Sequence, residues 1–234
     1  MIADKLAQVN ARIASACAAA GRDVQSVTLL AVSKTFDAAA VAQAHAAGQR
    51  RFGENYVQEA VAKIDALAGL RPRPEWHLIG PLQTNKARLV AERFDWVQSV
   101  ERLKIAERLS AQRPEAMAPL SVCLQVNISG EATKSGIAPA EVRAVASAVA
   151  ALPRLRLRGL MAIPEVVGDF AAQRRPHRAL RELLEALRGD GLDLDTLSIG
   201  MSADLEAAIA EGATMVRVGS AIFGERLRGV AAGA

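Results

Sequence analysis

Aromatic residues are scarce, at 3% of 234 residues, with two Trp, five Phe and Tyr56 as the single tyrosine. Proteins that grip single-stranded nucleic acid need stacked rings, so this scarcity argues against that class. Cysteine occurs twice, as Cys17 and Cys123, without the paired spacing of a metal or redox motif. Two buried, reduced thiols and a cytoplasmic protein are expected. No 18 apolar residues run together, so a membrane-spanning helix is excluded. The first 20 residues carry Asp4, Lys5 and Arg12 among their apolar positions, unlike a targeting signal. No Pro-, Gly- or Ser-rich linker divides the chain, and one domain over residues 1–234 is expected. Lysine is rare as well: Lys5, Lys34, Lys63, Lys86, Lys104 and Lys134 are the only six among 29 basic residues. The net charge of +4 permits anionic ligands without demanding them.

Hydrophobic residues make up 51%, enough for a large core. Leu6, Val9 and Ile13 share one face of a predicted helix over residues 2–20. Eight short apolar runs follow, at 27–33, 51–53, 76–80, 96–100, 120–128, 157–163, 196–199 and 214–219. Helical spacing separates them, clearest over 177–188, where Leu180, Leu183, Leu184 and Leu187 recur at i, i+3, i+4 and i+7. Most runs lack polar alternation, as parallel strands covered on both faces do. Eight such repeats predict a (β/α)8 TIM barrel at about 27–225, with the extra N-terminal helix covering one end. A doubly wound open sheet is the rival.

In a barrel, chemistry gathers where the strands end. Lys34 closes the first run and would reach the mouth partly desolvated. Desolvation favours the neutral, nucleophilic amine, which makes Lys34 a candidate Schiff-base former. A solvated lysine is the plainer reading. After the seventh and eighth runs come residues 198–204 and Arg217-Val218-Gly219-Ser220. Glycines and the hydroxyls of Ser202 and Ser220 suit a phosphate. Ser202 capping a helix near Ala203 is the plainer alternative.

Residues 200–204 lack the second small residue of a hydrolase elbow, and 219–224 lack the tail of a P-loop. No metal site is expected, because His45, His77 and His177 share no ligand spacing. His45 and His177 read as exposed helix residues, whereas His77 falls inside a strand and could face the barrel. Thr84 and Asn85 read as a helix start. Arg154, Arg156 and Arg158 put three guanidiniums on one side, as a solvated strand entrance or an RNA-contacting stripe.

Several stretches together resemble the pyridoxal-phosphate homeostasis proteins (the YggS/PROSC family). They are Ala31-Val32-Ser33-Lys34-Thr35, Phe52 to Glu59, His77 to Lys86, Gln125-Val126-Asn127 through Gly136, Gly159 to Pro164, Leu197 to Asp204, Met215 to Gly219 and Ala221 to Gly224. The resemblance implies a fold-type III barrel like the N-terminal domain of alanine racemase. It implies pyridoxal 5'-phosphate (PLP) as cofactor, bound to Lys34 as a Schiff base. The implied cofactor set is Lys34, Asn55, His77, Met201, Ser202, Arg217, Gly219 and Ser220, with Lys134 as an auxiliary amine. Arg217 would lie near the pyridine nitrogen and disfavour its protonation, weakening the ring as an electron sink. Many members carry a second lysine two residues after the first; here Phe36 stands in its place.

A PLP homeostasis and delivery protein without strong catalytic activity is therefore expected. The racemases' second β-rich domain and partner subunit are not expected here, since the chain stops at Ala234. PLP-dependent apoenzymes are the implied recipients, and a monomer without membrane or nucleic-acid partners is anticipated. A PLP-dependent amino-acid racemase of limited scope is the alternative. It would need an acid–base pair on both faces of the substrate carbon.

Overall fold

The computed structural model describes residues 1–130, 135–165 and 167–224. Eight strands close into one barrel in sequence order: β1 (Thr28–Val32), β2 (Arg51–Glu54), β3 (Glu75–Leu78), β4 (Trp96–Val100), β5 (Leu120–Gln125), β6 (Leu155–Met161), β7 (Thr196–Ser198) and β8 (Met215–Val218). All neighbours are parallel, and the closing pair sets Leu30 of β1 against Arg217 of β8. The (β/α)8 expectation holds, and the open-sheet rival falls with that pairing.

The connections are helical: α2 (Ala38–Ala46), α3 (Val57–Ala66), α4 (Ala87–Arg93), α5 (Leu103–Gln112), α6 (Pro139–Ala150), α7 (Phe170–Gly189), α8 (Leu205–Ala210) and α9 (Ser220–Phe223). Local chemistry sets several starts. Asp37 and Asp169 accept from the amides of Ala40 and Ala172, and Pro139 occupies the first turn of α6. α7 buries Leu180, Leu184 and Leu187 against the sheet, each contributing roughly 1.5–3 kcal/mol. It begins seven residues before the predicted 177, and Pro176 sits inside its early turns.

α1 (Ile2–Ala19) departs from expectation. It packs beside α8, α9 and α2 in the outer ring rather than over a barrel end. The four-residue α9 is too short to cover that side, and Leu6, Val9, Ile13 and Cys17 supply the missing apolar face. No helix among the described residues is long and apolar enough to cross a membrane.

The barrel interior is layered. Leu30, Val32, Ile79 and Met215 form one apolar cluster, and Trp96, Cys123 and Met161 another. Between strands from opposite sides run polar contacts: Gln98 on β4 touches Ser198 on β7 and Met215 on β8.

Candidate functional site

The C-terminal ends of the strands surround a cavity of about 360 Å³, within the range of small-molecule sites. Lys34, Asn55, Met201, Ser202, Arg217, Gly219 and Ser220 all line it. They come from the ends of β1, β2, β7 and β8. His77 does not join them. Its ring lies one layer down, fully buried and stacked on Trp96 with centroids 5.1 Å apart. Lys134 lies outside the described residues.

The turn carrying Lys34 is pinned on both sides. Ser33 donates its hydroxyl to Glu54 at 2.6 Å, and its carbonyl accepts from Lys63 Nζ at 2.8 Å. Thr35, at φ 68, donates its amide to Glu59 at 2.6 Å. Lys63 also bridges Glu54 and Glu59, at 2.8 and 2.7 Å. Burial pushes the Glu54 carboxyl up, against the opposing pull of Lys63 and Ser33. Sequence reading missed Glu54, Glu59 and Lys63. The available signal was a rare lysine on the same face of α3 as Val57 and Ala60.

Phe36, at the position of the family's second lysine, stacks on Phe223 with centroids 5.2 Å apart and walls one side of the cavity. Asn55 presents a buried Oδ1 without a hydrogen-bond partner. Gly80 lets the chain pass there, since a Cβ would collide with the Asn55 backbone.

Opposite the lysine, residues 200–204 form a tight loop. Gly200 has φ +91, and a Cβ there would meet that of Ala208 at 2.6 Å. Asp204 clamps the loop, accepting the Met201 amide at 2.6 Å while its other oxygen meets His177 Nε2 at 3.0 Å. Burial works against the Asp204 charge, but these two bonds hold its pKa below the usual carboxylate range. α1 braces the same loop: Arg12 donates to the Ser202 carbonyl at 3.1 Å and pairs with Glu206 at 2.9 Å. Ser202 does not cap α8, whose N-cap is Asp204. Its hydroxyl faces that of Ser220 at 3.4 Å.

Arg217 closes the floor. Its guanidinium donates to the Ser198 carbonyl and hydroxyl at 2.6 and 2.8 Å and to the Ala162 carbonyl at 2.8 Å. Burial lowers its pKa to about 10, partly offset by Asp204, so it keeps its charge at neutral pH. The mouth therefore combines a primary amine, a desolvated cation and hydroxyl donors on glycine-flanked turns. That set suits a small, phosphorylated aldehyde with a ring acceptor.

Two histidines sit differently from expectation. His177 is 1% exposed on α7 and His45 is 5% exposed, bonded to the Pro72 carbonyl at 2.7 Å. Both occupy the inward faces of their helices, where one ring nitrogen of each meets a carboxylate or carbonyl, while Nδ1 of His177 is buried without a partner. Thr84–Lys86 is a single 3-10 turn leading into α4. Arg154, Arg156 and Arg158 spend their charge locally, on the Ser110 carbonyl, Asp193 and Asp195.

The opposite barrel mouth holds a larger cavity of about 500 Å³ lined by Arg51, Glu75, Asp95, Arg113, Arg158 and Asp195. Its charges neutralise one another, Arg51 with Glu75 at 3.1 Å and Arg158 with Asp195 at 2.8 Å. Size favours that end, but chemistry favours the lysine-bearing mouth.

The profile of the family described as alanine racemase, N-terminal domain, matches residues 5–227. The pyridoxal phosphate homeostasis protein of Pseudomonas aeruginosa is 62% identical over 225 residues, covering 96% of each chain. That of Escherichia coli K12 is 54% identical over 230 residues, covering 96% of this chain and 97% of its own. PipY of Synechococcus elongatus, solved with PLP bound, superposes with a TM-score of 0.84 at 40% identity, covering 96% of this chain and 100% of that one.

Proposed function

The chain belongs to the alanine racemase N-terminal domain family and, within it, to the pyridoxal phosphate homeostasis proteins, and from that premise we propose that it is a reversible PLP holder and donor. Lys34 supplies the amine that joins the cofactor's aldehyde as a Schiff base, with loss of water. Ser202, Ser220 and the backbone at Gly219 receive the phosphate, Arg217 faces the pyridine ring, and Asn55 and Met201 complete the wall.

One observation carries this reading: amine, cation and hydroxyl loops from both ends of the chain line a single cavity of about 360 Å³. When bound, PLP supplies an electron-withdrawing ring and an exchangeable aldehyde. Arg217, charged and desolvated, opposes protonation of that ring, which suits holding better than carbanion chemistry. Lys34 and Arg217 are the titratable groups among the described residues lining the cavity. A racemase needs proton-transfer groups on two faces of the substrate carbon, so this lining favours the carrier over the enzyme. An amine from a recipient apoenzyme can then displace Lys34 by attack on the same carbon. Cys17 and Cys123 are buried free thiols, which suits a reducing cytoplasm.

Borohydride reduction of the PLP-loaded protein, followed by peptide mass mapping, tests the assignment. The adduct is expected on the peptide containing Lys34; an adduct confined to other lysines overturns it. Deuterium exchange at the α-carbon of a panel of amino acids separates carrier from racemase, rapid exchange favouring the racemase.

A further inference from the structure

Arg217 is one end of a hydrogen-bonded chain that crosses the barrel. Ser198 Oγ accepts from Arg217 at 2.8 Å and donates to Gln98 Oε1 at 2.6 Å. Gln98 Nε2 contacts His77 Nδ1 at 2.9 Å, and His77 Nε2 contacts Glu75 Oε1 at 2.8 Å. Ser198, Gln98 and His77 are fully buried.

The direction of every bond follows from its first member. A guanidinium can only donate, so Ser198 must point its single hydrogen at Gln98. The amide oxygen is then taken, and its nitrogen is the group that faces His77. Nδ1 must accept, which leaves the imidazole proton on Nε2, aimed at Glu75. Burial opposes charging of His77, in keeping with a neutral ring. Its charged neighbours are Glu75 and Arg51 at the far mouth and Asp95 before β4. Trp96 beneath the ring and Met215 Sδ, 3.1 Å from Gln98, fill the remaining space.

We propose that Gln98, together with His77, is a positioning residue for Arg217, holding the Ser198 hydroxyl so that its lone pairs meet the guanidinium. This rests on the reading that a pyridine-bearing phosphate occupies the cavity. Without Gln98, the Ser198 hydrogen has no fixed acceptor, and Arg217 loses a defined partner on the ring side of the mouth. Among the described residues, no side-chain hydrogen bond of this chain goes to the phosphate loops, which meet Arg217 through its backbone amide on the Gly200 carbonyl at 2.9 Å.

The test compares two probes on the whole protein and on Gln98→Leu: pyridoxamine 5'-phosphate, which has the ring but no aldehyde, and inorganic phosphate. Gln98→Leu is expected to weaken the first on the order of 3- to 30-fold while leaving the second unchanged. Equal loss of both, or of neither, overturns the proposal.

Nitrogen-15 spectra of the ligand-free protein read the chain directly. His77 is expected as the neutral Nε2–H tautomer, with the Arg217 guanidinium signals shifting in Gln98→Leu. An Nδ1–H tautomer, or unmoved Arg217 signals, overturns the proposal. Failure of the wild type to bind either PLP or pyridoxamine phosphate would instead sink the cofactor reading and leave these spectra to decide the chain.

Discussion

Lys63 Nζ donates to the carbonyl oxygen of Ser33 at 2.8 Å, so one buried ammonium holds the residue preceding the cavity's lysine. It does so while neutralising Glu54, whose side chain is fully buried. A helix on the outer ring thereby fixes where the reactive amine leaves the first strand.

Removing that ammonium strands a buried carboxylate. Lys63→Met is expected to cost about 3–5 kcal/mol and lower the melting temperature on the order of 10 °C. Lys63→Met combined with Glu54→Gln should recover much of the loss, because no fully buried charge is then left unpaired and the part-exposed Glu59 keeps the Thr35 amide. Thermal melts of the three variants check this.

Lys34 itself is half-buried and its turn is held by other residues. Lys34→Ala is expected to abolish the borohydride adduct while moving the melting temperature by less than about 2 °C. Mass mapping and a thermal melt on one sample read both.

Arg217 reaches Ser198 and Ala162 through two different nitrogens, which a point-charge ammonium cannot reproduce. Arg217→Lys should therefore weaken PLP binding roughly tenfold, about 1.4 kcal/mol, although the charge is conserved. Equilibrium dialysis at fixed ionic strength measures it.

Asp204 sets a pH dependence. Its folded pKa lies below the unfolded one, so its stabilising contribution is complete above the ordinary carboxylate range, near 3.9. That contribution is lost as pH falls through and below that range. Asp204→Asn should flatten the acid limb of the stability curve, measured by melts between about pH 3 and pH 7. Asp204→Ala, which also releases the Met201 amide, should weaken inorganic phosphate binding at neutral pH.

The barrel was legible because parallel strands covered on both faces are written as apolar runs, and all eight runs became strands. The mouth was legible for a related reason: residues that follow such runs have nowhere else to go, which brought Lys34, Ser202 and Ser220 into one place. Side-chain direction was not legible. His77 lies in the expected strand yet turns into the layer below the mouth, since pairing with Gln98 depends on a strand from elsewhere in the chain. His177 was misplaced because its partner, Asp204, is 27 residues away and no local pattern joins them. Lys63 escaped notice because a charged residue on an apolar helix face looks like an error in the pattern until its two carboxylates are known.

The pairing of Leu30 with Arg217 joins the first strand to the last. Arg12, near the start, also braces Ser202, 190 residues later. A ribosome therefore releases the amine well before the anion grip. Partial chains carry the reactive group with nothing to receive a phosphate, and the pocket comes into being only when β8 has been made and the ring of strands shuts.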